Sequence, residues 1–226
     1  MTTPGIKLLK RPSIILFCGR PASGKTTAMV SVIRQIVEFK KPAFGRFYVS
    51  TKFSGDFTFA PDEDIFEDYT QEHLEEYVNK IKAWKKRNPQ KDVPQNLLVI
   101  DDAMGQINWY SRFWSSLIGT HRHWGMNILV ATQSLTAGGH GSSTLLRNCV
   151  DMAVLYHSSF INTKKNLYLA FGGWFPSFKE FDAIFTKSTK ENGNHWAMVY
   201  MANGSDLEST YFAWKASIAN PFKIKW

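Results

Sequence analysis

Apolar runs alternate with amphipathic stretches along most of the chain. Five apolar runs predict buried strands: Ile14–Cys18, Arg46–Thr51, Leu97–Asp101, Asn127–Thr132 and Asp151–Tyr156. Helical periodicity occurs in five stretches: Thr26–Phe39, Gln71–Arg87, Trp109–His123, Ser143–Asn148 and Phe178–Thr186. Because helices alternate with strands that are apolar on both faces, the pattern predicts an α/β fold with a mainly parallel central sheet flanked by helices.

The C-terminal pattern differs from the rest of the chain. Two short alternating runs, Trp196–Met201 and Ser209–Trp214, flank the turn residues Ala-Asn-Gly-Ser and predict an antiparallel hairpin at one edge of the sheet. The chain of 226 residues shows no repeat and no convincing linker, so we expect one domain over residues 1–226. It divides into an N-terminal arm at 1–12, a core at 13–157 and C-terminal helices with the hairpin at 158–226.

A phosphate-binding loop follows the first predicted strand. Residues 19–26 read GRPASGKT and match the pattern GxxxxGKT. Its glycines let backbone N–H groups face phosphates, while Lys25 supplies positive charge and Thr26 supplies a hydroxyl for Mg²⁺. The alternative is a glycine turn with a solvated lysine. We expect ATP to contact nine residues: Gly19, Arg20, Pro21, Ala22, Ser23, Gly24, Lys25, Thr26 and Thr27.

Two carboxylates, Asp101 and Asp102, lie at the end of the apolar run that begins at Leu97. Asp101 lies at the carboxyl end of the strand, where a magnesium ligand beside a phosphate-binding loop belongs, together with Thr26. Asp102 is placed to orient or deprotonate the attacking water. Its alternative role is to cap a helix before Gln106.

The strand Asn127–Thr132 ends in polar residues at the height of the γ-phosphate. Gln133 is therefore the candidate sensor of that phosphate. In enzymes whose catalytic carboxylate follows the magnesium carboxylate, an additional strand lies between the two nucleotide-binding strands, and its polar tip reports whether the phosphate is present. Thr132 and Gln133 alternatively open a solvated loop.

Composition narrows the partners and the cellular setting. The net charge is +8, so a polyanionic partner fits, although the densest basic segment, Lys80–Lys91, is equally a solvated helix face. Both cysteines, Cys18 and Cys149, lie in apolar segments and are expected to be core residues rather than a disulfide. No apolar run is long enough to span a bilayer and no secretory cleavage site is visible, so we expect a protein that is not secreted.

Five motifs together resemble one family. In chain order they are GRPASGKT, LLVIDD, Thr120–His123, ILVATQS and Leu145–Asp151. This order is similar to the viral DNA-packaging ATPases of the FtsK/HerA superfamily of P-loop NTPases, especially the group of the poxvirus packaging ATPase and its counterparts in giant viruses, virophages and membrane-containing phages. The resemblance covers about residues 13–157.

The resemblance implies a RecA/FtsK-like fold of the additional-strand type and an oligomeric ring motor that hydrolyses ATP with Mg²⁺. It implies that the motor drives double-stranded DNA into a preformed capsid, with capsid or vertex proteins as partners, in the virion or at the cytoplasmic or nuclear site of virus assembly. Such rings complete each site with an arginine of the neighbouring subunit. Arg147 is the first candidate, Arg122 the second, and Arg112 a third.

Alternative functions and DNA contacts stay open at this point. The alternatives are a small-molecule kinase, a phage assembly or morphogenesis NTPase that does not move DNA, and a replicative helicase. No arginine-rich lid of the kind that kinases use is visible. The candidate DNA contacts are the Gly-rich segment 136–143, the basic segment Lys80–Lys91 and Lys52.

Overall fold

The structure, a computed structural model, describes residues 11–49, 57–101, 106–135, 144–191, 195–216 and 224. The strands are β1 (Ile14–Cys18), β2 (Phe44–Val49), β3 (Ile65–Phe66), β4 (Asn96–Asp101), β5 (Met126–Thr132), β6 (Met152–Tyr156), β7 (Trp196–Met201) and β8 (Tyr211–Lys215). The α-helices are α1 (Lys25–Lys40), α2 (Gln71–Arg87), α3 (Arg112–Thr120), α4 (Thr144–Asn148), α5 (Ile161–Phe171), α6 (Phe178–Thr186) and α7 (Leu207–Thr210). A 3₁₀ turn at Asp62–Asp64 and a π-helical turn at Lys187–Glu191 complete the described elements.

The eight strands found in the described residues form one sheet in the order β3-β2-β4-β5-β1-β6-β7-β8. All pairs formed among β1 to β6 are parallel. Strands β7 and β8 are antiparallel and extend the sheet beyond β6. The predicted α/β class is confirmed, and so is the additional strand, because β5 lies between β4 and β1.

Helices cover both faces of the sheet, as the apolar strands require. Alternate residues of β1 face opposite cores, so Leu16 packs with one layer and Phe17 with the other. Helix α1 packs on the Phe17 side. Helices α2 to α6 contribute buried residues to the Leu16 side. The phosphate-binding loop therefore leads into the one long helix on its face among the described residues.

Most predicted elements are present with shifted ends. The predicted helix at Trp109–His123 is shorter and spans Arg112–Thr120, because the Ser111 side chain caps its start and Gly125, with φ +61°, sits in the turn that follows. Helix α5 was not predicted, because it buries only Leu167 and Phe171 and so shows no wide apolar stripe.

The predicted hairpin is confirmed with one correction. Its second strand starts at Tyr211 rather than at Ser209, because a helical turn at Leu207–Thr210 precedes it. Asp206 caps that turn, accepting the backbone N–H of Ser209. Both cysteines are free thiols, and Cys18 is buried while Cys149 is half-buried beyond α4.

Candidate nucleotide-binding site

The loop between β1 and α1 has the backbone shape of a phosphate cradle. Ala22 and Gly24 have positive φ angles of 59° and 99°, which turns successive N–H groups toward one side of the loop. At Gly19 a Cβ atom would lie 2.6 Å from the Tyr156 Cβ, so the close approach of β6 requires glycine there. The Ser23 hydroxyl is buried in this cradle without a hydrogen-bond partner among the described residues. These groups suit the oxygens of a polyphosphate.

Two side chains from the far half of the chain support this loop. The Tyr156 hydroxyl at the end of β6 donates to the Gly24 carbonyl at 3.0 Å. His195, before β7, places Nδ1 3.3 Å from the Ser23 carbonyl oxygen. His195 itself has a left-handed φ of 65°. The loop is thus held from the side of β6 and β7 as well as by its own glycines.

Lys25 is buried at the start of α1 and its ammonium group lies over the loop. Its Nζ donates to the carbonyl oxygens of Gly19 at 2.8 Å and Arg20 at 3.0 Å. These two contacts hold the ammonium group at the loop, where a positive charge can bind phosphate oxygens.

The Thr26 hydroxyl donates to Asp101 Oδ2 at 2.9 Å. This contact joins the first turn of α1 to the end of β4 and brings together the two predicted magnesium ligands. Mg²⁺ prefers oxygen ligands and is held in nucleotide sites by one or two protein groups together with phosphates and water. A hydroxyl and a carboxylate at one point fit that requirement. The described residues hold no cluster of three or more His, Cys, Asp or Glu side chains that suits a metal ion.

The end of β5 lies against the start of the phosphate-binding loop. The Gly19 backbone N–H donates to the Thr132 carbonyl at 3.1 Å. Thr132 also orders the following turn, since its hydroxyl bonds the Ser134 carbonyl at 2.7 Å. Gln133, between them, is exposed at this edge. The structure therefore places the predicted sensor next to the loop, and its role stays a prediction.

A cavity of about 480 Å³ adjoins the loop on the side of β6 and β7. The cavity and Asp101 lie on opposite sides of the loop, because β4 and β5 are on one side of β1 and β6 and β7 are on the other. Its walls include Arg20 and Ser23 from the loop, and His157, Lys190 and Trp196 from the C-terminal third of the chain. Burial lowers the pKa of His157, and the nearby charges of Lys190, Arg20 and Lys164 lower it further.

The candidate arginines lie on α4, in the turn that follows α3 and at the start of α3. Arg147 is half-buried on α4 and donates to Thr144 of its own helix at 3.1 Å. Arg122 forms an ion pair of 2.7 Å with Asp151, whose other oxygen accepts the Ile14 N–H at the beginning of β1. Arg122 thus lies at the opposite edge of the sheet from the loop. Arg112 is exposed in the first turn of α3.

Some predicted residues lie outside the described residues. They are Asp102, Lys52 and the Gly-rich segment 136–143. Sequence reasoning missed the contributions of Tyr156 and His195, because neither belongs to a nucleotide-binding motif. A tyrosine at the end of the strand next to β1 was the available signal, since the ends of neighbouring parallel strands meet at one edge.

The strand order and the loop with its Thr26–Asp101 pair define a P-loop NTPase of the additional-strand type. Within that class, the sequence profile described as poxvirus A32 protein matches residues 5–167. The chain belongs to this family, which confirms the resemblance drawn from its motifs.

Two viral proteins are similar to nearly the whole chain. Uncharacterized protein 088R of Invertebrate iridescent virus 3 is 26% identical over 217 residues, which cover 92% of this chain and 77% of that protein. Uncharacterized protein 075L of Invertebrate iridescent virus 6 is 26% identical over 212 residues, with 90% and 77% covered.

Solved structures share the fold at low identity. The genome packaging NTPase B204 of Sulfolobus turreted icosahedral virus 2, in complex with ATP-gammaS, superposes with a TM-score of 0.64 at 14% identity, covering 92% of this chain and 98% of that one. The pCW3 conjugation coupling protein TcpA, with ATPgS, gives a TM-score of 0.61 at 13% identity, covering 93% and 61%. Among the described residues, no helix has the length and apolar character that a membrane span requires.

Proposed function

We propose that this protein is an ATP-hydrolysing motor that packages viral double-stranded DNA into a preformed capsid, acting as an oligomeric ring. The observation that carries the proposal is the phosphate cradle with Lys25 above it and the Thr26–Asp101 pair beside it, in a chain of the poxvirus A32 family. The fold shared with the genome packaging NTPase B204 supports the same function.

The proposed chemistry is hydrolysis of the bond between the β- and γ-phosphates. Lys25 binds phosphate oxygens, and Thr26 and Asp101 hold Mg²⁺, which offsets the charge that develops on the phosphates. Asp102 orients or deprotonates the attacking water, and Gln133 senses the γ-phosphate from the end of β5. The contact between Gly19 and Thr132 supports that role, because it ties β5 to the loop.

The bound nucleotide has one preferred orientation along the sheet edge. Because the metal pair lies toward β4, the γ-phosphate end points that way and the nucleoside points toward β6 and β7. The cavity of about 480 Å³ lies on that side and has the size of a small-molecule site. We assign the base and ribose to this cavity.

The site is completed by an arginine of a neighbouring subunit in this proposal. Arg147 suits the role better than Arg122, because the guanidinium of Arg122 is already paired with the Asp151 carboxylate at 2.7 Å. Arg147 donates to a neutral group, the Thr144 hydroxyl of its own helix, and an exchange of that partner for a phosphate costs little. Such an arginine contributes about 10³ to 10⁵ to the rate in related phosphate chemistry.

Double-stranded DNA and a second copy of the chain are thus the first partners, and capsid or vertex proteins the next. The place of action is the virion or the site of virus assembly in the cytoplasm or nucleus. The net charge of +8 fits a DNA partner.

The test is ATP hydrolysis by the purified protein with and without double-stranded DNA. We expect stimulation by DNA, loss of hydrolysis in Lys25→Ala, and no loss in Lys215→Ala, which removes an exposed lysine on β8. Particle size should increase when ATP analogue and duplex are added together. If DNA does not change the rate of hydrolysis and the protein stays monomeric, the proposed motor function is wrong. ATP-dependent phosphorylation of a small acceptor molecule would indicate a kinase.

A further inference from the structure

A basic surface lies at the edge of the sheet where the parallel strands begin, opposite the phosphate-binding loop. Helices α1 and α2 return antiparallel to the strands, so both end at this edge. We call it the basal surface. Among the described residues, its basic side chains come from five segments and are Arg11, Lys40 and Lys41, Lys82 with Lys85, Lys86 and Arg87, Lys91, and Arg122, which is paired with Asp151.

Hydrogen bonds bring the first of these segments together. The Lys40 ammonium at the end of α1 donates to the Arg11 carbonyl and to Asn127 Oδ1, both at 2.8 Å. Asn127 is the second residue of β5. Arg122 is anchored nearby, since Asp151, its partner, also accepts the N–H of Ile14 in β1.

The end of α2 joins the same edge. The Lys80 ammonium lies 4.9 Å from the ring centre of Phe44, the first residue of β2, and that of Lys82 lies 5.8 Å from the ring of Trp124. The Trp124 carbonyl accepts from the side chain of Asn96, the first residue of β4. Lys82 and Arg122 therefore belong to one continuous surface.

Charge is segregated along α2 itself. Its first two turns carry Glu72, Glu75 and Glu76, and its cations begin only at Lys80. A helix of this length spans about 25 Å, so Glu72 and Arg87 lie near its opposite ends. Of the carboxylates at the basal edge in the described part of the chain, Asp151 is paired with Arg122, Glu38 is paired with Arg34, and Asp92 is exposed.

Helix capping accounts for only part of this charge. Cations in a last helical turn interact favourably with the helix dipole, which explains Lys40 and Lys85 to Arg87. Arg11 and Lys91 lie in no helix, and they extend the positive surface beyond the helix ends. A polyanion is the ligand that such an extended field attracts.

We propose that the basal surface binds the phosphate backbone of double-stranded DNA without reading its sequence. The inference rests on the proposed function and adds where the duplex makes contact. Lysines predominate on this surface, which suits point-charge contact with phosphates. Single-stranded DNA is the weaker fit, because it needs open aromatic faces, whereas Trp84 and Trp124 are only part-exposed and Lys82 lies over Trp124.

The basal surface lies at the opposite edge of the sheet from the nucleotide site. Substitutions on it should therefore weaken binding of duplex DNA and leave binding of ATP unchanged. The test variant is the triple substitution Lys82→Ala, Lys86→Ala and Arg87→Ala, all exposed on α2. The matched control is Lys165→Ala, Lys179→Ala and Lys187→Ala, which removes the same charge from exposed positions on α5, α6 and the π-helical turn. Binding of a short labelled duplex is measured by fluorescence anisotropy over a series of KCl concentrations.

We expect the basal variant to lose at least about tenfold in duplex affinity, and its salt slope to fall by about 3, since each lost phosphate contact removes about 0.9. Binding of ATP analogue and hydrolysis without DNA should equal those of the wild type. Equal weakening in the control variant, or an unchanged basal variant, overturns the inference and leaves the motor intact. A wild-type protein that hydrolyses ATP but binds no duplex contradicts the proposed function instead.

Discussion

The Thr26 hydroxyl donates a hydrogen bond of 2.9 Å to Oδ2 of Asp101, across the top of the sheet. Strand β5 lies between the two strands that these residues follow or end, so the contact spans two strand spacings, about 10 Å. Helix α1 therefore begins at the position where the end of β4 can share a cation with it. A magnesium site at this point depends on both elements.

Removing either member of this pair should impair hydrolysis. Thr26→Ala removes the hydroxyl ligand, and Asp101→Asn removes the negative charge of the carboxylate. For each variant we expect kcat to fall by about tenfold or more and the Mg²⁺ concentration needed for activity to rise. Thr26→Ser keeps the hydroxyl and should retain most of the activity. The measurement is the rate of phosphate release over a range of Mg²⁺ concentrations, and unchanged Mg²⁺ dependence in both variants contradicts the assignment.

A methyl group at Gly19 should distort the phosphate-binding loop. The added Cβ would lie 2.6 Å from Tyr156 Cβ and 2.8 Å from the Ser23 hydroxyl, so we expect Gly19→Ala to weaken ATP binding and to lower the free energy of unfolding by about 1–3 kcal/mol. Gly119→Ala is the matched control, because it lies exposed in α3 with nothing within 4 Å of its Cβ position. Higher helix propensity should make that variant more stable by up to about 1 kcal/mol.

These glycines also show what sequence patterns can and cannot predict. The strand before the loop and the helix after it were predicted from apolar runs and from motif spacing. Both signals are local in the sequence, so they do not depend on how the chain packs. The order of the strands does not follow from such local patterns, and the additional strand was predicted from the adjacent carboxylates Asp101 and Asp102 and from the family resemblance. Short β3 and helix α5 were missed, since neither carries a strong periodic pattern.

The missed part of the site is made by tertiary contact. Tyr156 and His195 contact the loop although they lie more than a hundred positions after it in the sequence. No spacing rule links them to Gly24 or Ser23. Arg122 shows the converse. Its place in a motif suggested catalysis, whereas the structure pairs it with Asp151 at the far edge of the sheet, a contact that only the packed fold reveals.

The two cysteines should differ sharply in reactivity. Burial raises the pKa of the Cys18 thiol to about 12, so almost no thiolate forms near neutral pH. Cys149 is half-buried, although burial raises its pKa as well. We expect a maleimide reagent to label Cys149 slowly in the folded protein and Cys18 only after unfolding. Mass spectrometry of digested protein checks this, and early labelling of Cys18 contradicts the buried strand.

Lys40 should make stability depend on pH in the alkaline range. Burial lowers its pKa from 10.5 to about 8, although the charge of Asp151 opposes the shift. The unfolded chain therefore holds this proton more tightly, and between pH 8 and 10.5 the free energy of unfolding should gain a rising contribution as the folded protein releases it. Urea titrations across this range test it against Lys40→Met, which should lack that contribution. Parallel pH curves for the two proteins contradict the assignment.

The cavity beside the loop should recognise the nucleoside and not the phosphates. The lowered pKa of His157 keeps its imidazole neutral near pH 7, so His157 and Trp196 offer flat, uncharged surfaces for a base, with Lys190 at the same wall. A stacked base is worth about 1–3 kcal/mol, so His157→Ala and Trp196→Ala should each weaken ATP binding by about 5- to 150-fold. Inorganic tripolyphosphate, which has no base, should bind both variants as it binds the wild type.

Phe160→Ala, at an aromatic residue that is 75% exposed, serves as the control. Because Trp196 lies next to His195, whose imidazole contacts the Ser23 carbonyl, equal losses for ATP and tripolyphosphate would instead mean that the loop itself had moved.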